Sequence, residues 1–303
     1  MGTQEQPSDL VAETFMVLRH AFFGGGAEPQ IFELRDKRNT QDDPFDEYVH
    51  QLLNESLSEG TVCLKAPGPL TTPDLVVMRR ALCEGTDRNV LAADITRIVA
   101  IEVKKLERTR GGAIARSSGM DYNTTPPCGI VRVYDLHDRP LDIRGFYLFV
   151  CQEAVEGFPG RYRLSALALC DGNLLNEDFA YYLSIVGERT KEVGLGSYGD
   201  GANRSRPMLI FGNPLGAAVL DHRVTLIHPR SNLVDQFPQL LCVGLIRRRL
   251  KTEGERAFYC YRLRNDVPGD HGDFDLLEPF PSPARTTATQ ARGRFRLDLR
   301  PAG

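Results

Sequence analysis

The chain reads as an α/β (α+β) protein in which a mixed β-sheet is flanked by helices. Three observations predict this. Two helical patterns open the chain, a rapid succession of apolar β-forming runs follows, and one more helical pattern interrupts that succession before the β content resumes.

The first helix begins at a capping candidate, Ser8. Leu10, Val11, Thr14, Phe15 and Leu18 follow at helical spacing, and Gly24-Gly25-Gly26 ends the pattern. The second runs from Asp43 or Pro44 to Ser58, with Phe45, Val49, Leu52, Leu53 and Ser56 as its inward stripe and Gly60 as its stop. Strands are expected at 61–65, 74–78, 95–106, 129–135, 145–152 and 163–170. Residues 176–189 form a helical pattern with Phe179, Tyr182, Leu183 and Val186 on one side, and strands resume at 208–211, 223–227, 240–246 and 257–263. From Val267 onward the composition turns to Pro, Gly, Asp and Thr, so little order is expected between Gly269 and Gly293, with a late edge strand in the closing residues. The organisation is then a helical region over 1–60 packed on the core, a core over 61–266, and a partly irregular tail over 267–303.

With 42% hydrophobic and 25% charged residues, 303 residues can bury one large core or two modest ones. No run approaches the roughly 20 apolar residues of a membrane helix, and the first residues carry neither a basic nor an apolar export region, so a cytoplasmic location is expected. Gln6 stands where a myristoylation signal has Ser or Thr. The seven cysteines are scattered, odd in number and mostly embedded in apolar runs, which suits reduced core thiols. Without CxxC or HExxH spacing, zinc has little support. Net charge is -3, with acids crowded from Glu33 to Glu59 and bases around Arg97 to Arg116. The group Arg247, Arg248, Arg249 and Lys251 reads as a solvated face.

The sharpest pattern joins Pro73-Asp74, which opens the run Leu75 to Met78, with Glu102-Val103-Lys104, which closes the run from Ile95. Side chains two apart on a strand share a face, so Glu102 and Lys104 project together and would meet Asp74 across a hairpin. Two converging carboxylates make a hard-oxygen site suited to Mg²⁺ held through few protein ligands plus water and phosphate. The spacing resembles the PD-(D/E)XK nucleases, and within them the type II restriction endonucleases. That resemblance, carried by residues 73 to 104, implies a restriction-endonuclease-like core with catalytic Asp74, Glu102 and Lys104, and Mg²⁺ on Asp74 and Glu102. It also implies an auxiliary carboxylate from a preceding helix, for which Glu55 is preferred over Glu59. Asp94, some ten residues and about 33 Å of strand from the motif's end, is expected to be structural.

Other chemistries are weaker. Gly194 to Gly199 matches GxGxxG but follows a helix and leads into a strand, the reverse of a dinucleotide fold, and no GxxxxGK[ST] exists, so no nucleotide cofactor is expected. Ser197 has no nucleophile elbow around it. Two loops carry base-reading and phosphate-binding residue types: Asn203, Arg204 and Arg206 in one, and Arg108, Arg110, Arg116 and Asn123 in the segment leaving the catalytic strand. The expectation is a Mg²⁺-dependent type II restriction endonuclease acting on duplex DNA, as a homodimer on a short palindrome, with no membrane attachment. A structure-directed repair or recombination nuclease and a non-catalytic DNA-binding protein are the alternatives.

Overall fold

Asp9, rather than Ser8, starts the first helix, α1 (Leu10–Phe23): its Oδ1 accepts hydrogen bonds from the N–H groups of Val11 and Ala12 at 3.0 and 3.1 Å. Ser8 instead donates its hydroxyl to Glu13. Gly24 ends the helix at φ 57°, a left-handed conformation that glycine adopts without steric cost, and its N–H returns to the His20 carbonyl. Strand β1 (Phe32–Glu33) leads to α2 (Pro44–Ser56), which has Asp43 as cap and Pro44 in its first turn. The computed structural model describes residues 8–25, 28–39, 42–68, 71–80, 94–108, 129–175, 224–250, 254–266 and 293–297.

The remaining strands are β2 (Thr61–Lys65), β3 (Thr71–Thr72), β4 (Leu75–Arg79), β5 (Ile98–Arg108), β6 (Ile130–Asp135), β7 (Pro140–Ala154), β8 (Arg161–Asp171), β9 (Val224–His228), β10 (Leu240–Leu250), β11 (Gly254–Leu263), β12 (Gly293–Arg294) and β13 (Arg296–Leu297). Among the described residues, eleven strands join one mixed sheet whose main path runs β10-β11-β9-β8-β7-β5-β4-β2. β2, β4 and β5 form an antiparallel meander, and β7 then lies parallel to β5. Asp94 accepts from the N–H and hydroxyl of Thr96 in the turn before β5, a structural acid as expected.

Strand alternation divides the core in two. Leu75, Val77, Val99, Ile101, Val103, Phe146, Leu148 and Val150 face α1 and α2, meeting Phe15, Leu18, Phe45 and Val49. On the other face, Val76, Met78, Ile98, Ala100 and Ile143 form one apolar group, and Tyr147, Phe149, Ala168, Cys170, Ile246, Phe258 and Cys260 form a second. Among the described residues both long helices cover one face only.

The described residues near the end of the chain pair with two separate strands. Among the described residues β13 is the expected late edge strand, paired parallel with β6 alone, while β12 pairs parallel with β3, and Phe295 and Leu297 are buried in one apolar group with Val76 and Ile98. The C-terminal residues thus brace the segment that leads into Pro73-Asp74. The expected helix at 176–189, the strand at 208–211 and the irregular stretch 269–292 lie outside the described residues. No helix among the described residues is long and apolar enough to cross a membrane.

Candidate active site

The register Leu75↔Ile101 sets Asp74, one residue before β4, opposite Glu102, one residue further along β5. A hydrogen bond of 2.8 Å from the Val103 N–H to Asp74 Oδ2 closes this hairpin. Glu102 and Lys104 lie next to Tyr147 and Phe149 in register, where the two apolar groups of the second face meet. Each is only 4% exposed. Lys104 Nζ donates to Glu102 Oε1 at 2.8 Å, while the other oxygen, Oε2, is buried without a hydrogen-bond partner among the described residues. A buried carboxylate oxygen left bare is costly, so its position calls for a positively charged or donating group.

The charges around this pair are out of balance. Burial, followed by the charges of Glu102 and Asp46, holds the Asp74 carboxyl well above the usual carboxylate range, against the pull of Lys104 and the Val103 N–H. Burial tends to depress the Lys104 ammonium, but Glu102, Asp74 and Asp46 outweigh it and push the group above its ordinary value. Asp46 is pushed up to about 7 by burial and by Asp43, with Lys105, Lys104 and Lys65 opposing. Three acids therefore act on one another around a single buried lysine, a field that favours an additional cation.

Asp46 is the carboxylate that the sequence reading missed. It sits in the first turn of α2, and that turn is fixed to β5 beside the site: Asp43 Oδ1 accepts both from the Phe45 N–H at 3.0 Å and from Lys105 Nζ at 2.9 Å. The sequence shows only an acid beside the inward Phe45 at the helix end where acids are favoured, and not that this end of the helix lies against β5. The preference for Glu55 is corrected, because Glu55 lies nine residues, about 13 Å, along the same helix. It is exposed and accepts a bond from Gln51 Nε2 at 2.8 Å; Glu59 is exposed as well.

Among the described residues, no group of three or more His, Cys, Asp and Glu side chains converges tightly enough to enclose a metal. Two facing carboxylates with a bare oxygen nonetheless fit Mg²⁺, which characteristically takes one or two protein carboxylates and completes its octahedron with water and phosphate. Of the expected DNA contacts, Arg108 ends β5, whereas Arg110, Arg116, Asn123, Asn203, Arg204 and Arg206 lie outside the described residues. Comparison of the chain with protein-family models, with curated proteins and with solved structures finds no match.

Proposed function

We propose that this protein is a Mg²⁺-dependent endonuclease of the type II restriction class, hydrolysing phosphodiester bonds of duplex DNA at a short sequence and acting as a homodimer. One observation supports this above the rest: Asp74, Glu102 and Lys104 converge across a hairpin with Glu102 Oε2 buried and unpartnered.

Asp74 and Glu102 would hold the ion. Bound there, Mg²⁺ would lower the pKa of water and offset the charge that builds on the phosphoryl oxygens. Lys104, kept as an ammonium by its acidic neighbours, serves as a cationic donor to the attacking water or to a phosphate oxygen rather than as a proton acceptor. The Val103 N–H fixes the Asp74 carboxylate toward β5. The water oxygen attacks phosphorus in line with the 3′ oxygen, the P–O3′ bond breaks, and a 5′ phosphate and a 3′ hydroxyl result.

Incubation of sequenced plasmid DNA with the protein and Mg²⁺ should give a defined fragment ladder, abolished by EDTA. Asp74→Ala and Lys104→Ala should each slow cleavage at least about a hundredfold. Wild-type rates in both variants would remove the assignment, and random degradation would remove the site-specific part of it.

A further inference from the structure

Asp74 and Glu102 differ in what holds them, yet each has one oxygen engaged by the protein and one left over. Asp74 Oδ2 accepts the Val103 N–H at 2.8 Å, and Glu102 Oε1 accepts the Lys104 ammonium at 2.8 Å. Among the described residues, Asp74 Oδ1 and Glu102 Oε2 have no donor. This division bears on how many cations the site can take. Paired ions in phosphoryl-transfer sites lie about 3.5–4 Å apart, a separation that one carboxylate spans by giving an oxygen to each. Glu102 cannot span it while Lys104 holds Oε1, and Asp74 meets a similar restriction at the Val103 N–H. Among the described residues no third His, Cys, Asp or Glu side chain converges with them to complete a second ligand set. Charge points the same way. Even with Asp74, Glu102 and the nearby Asp46 all ionised, Lys104 leaves two negative charges, which one divalent cation cancels. A second would add uncompensated positive charge beside a buried ammonium.

We propose that the protein by itself holds a single divalent cation, on one oxygen each of Asp74 and Glu102, with the Lys104 ammonium standing in for a second ion. The inference rests on the Mg²⁺-dependent reading of this site and adds its stoichiometry. Lys104 gives one of its three N–H donors to Glu102 and keeps the others for water or phosphate. Two effects therefore meet in one side chain. Its removal slows cleavage, yet it tightens the hold on the cation, because a neighbouring positive charge is gone and Glu102 Oε1 is released.

The test is a titration of the full-length protein, stripped with EDTA and dialysed, with Mn²⁺ at mildly alkaline pH and without DNA. Free Mn²⁺ is read by electron paramagnetic resonance, and folding of each variant is checked by circular dichroism. The wild type should bind one equivalent. Folded Lys104→Gln should bind its first ion at least about tenfold more tightly, and Glu102→Gln at least about tenfold more weakly. Tighter binding joined to slower cleavage is a combination that loss of folding cannot produce. Two equivalents on the wild type, or a Lys104→Gln affinity no higher than wild type, would overturn the single-ion assignment while the metal-dependent reading stands. If wild type and Glu102→Gln bind Mn²⁺ equally, or neither binds it, the metal site and the reading built on it both fall.

Discussion

Asp46 shows how one side chain can report the charge of its surroundings. Its carboxyl, pushed up to about 7 by burial and Asp43, binds a proton more tightly folded than unfolded, where the value is 3.8. Between those limits the folded chain holds more protons, so stability falls as pH rises through that interval and levels off above it. Urea titrations in EDTA across a pH series should show this decline in the wild type and a flatter profile for Asp46→Asn. Parallel profiles would mean that Asp46 is ordinary. Cys63, by contrast, is pushed up to about 12 by burial alone and belongs to the core.

At the scale of elements, two polar ties position what the core leaves adjustable. Asn54 of α2 donates to the Cys63 carbonyl at 2.8 Å and accepts from its N–H at 3.0 Å, occupying the outer edge of β2 and blocking strand addition there. Asp9 caps α1 and reaches His228 Nε2 at 3.3 Å and Arg230 at 3.2 Å, joining the helix to β9. The His228 Nδ1 accepts from the Arg230 N–H at 3.1 Å, which turns Nε2 toward Asp9. Burial opposes ionisation of Asp9, but the neighbouring His228, the Ala12 N–H and Arg230 prevail and lower its pKa. A depressed carboxyl contributes stability above 3.8 and loses it as pH falls through the folded value. Asp9→Ala should therefore cost about 2–4 kcal/mol at neutral pH. Denaturant midpoints at pH 7 and well below pH 3.8 should show that difference shrinking in acid; a constant difference would refute the ionic part.

For the whole molecule, the acid-rich site predicts linkage between metal and global stability. Mg²⁺ at a hundred times its dissociation constant should stabilise the wild type by about 2.7 kcal/mol, measured as a raised Tm, and should do so much less for Glu102→Gln. Equal shifts in both proteins would place the ion elsewhere. Much of this architecture was legible beforehand. The expected strand at 61–65 coincides with β2, the helix expected from Asp43 or Pro44 to Ser58 corresponds to α2 at Pro44–Ser56, and Asp74 and the Glu102–Lys104 pair face each other across the expected hairpin. Such features depend on caps, on side-chain period and on separation along the chain, all of which are local. The closeness of Asp46 to Asp74 and Lys104, and the parallel docking of residues 293–294 beside Thr71 and Thr72 and of 296–297 beside Tyr134 and Asp135, were not legible. Each depends on which elements become neighbours and in what register, and that was settled by long-range packing of two apolar faces rather than by any local pattern.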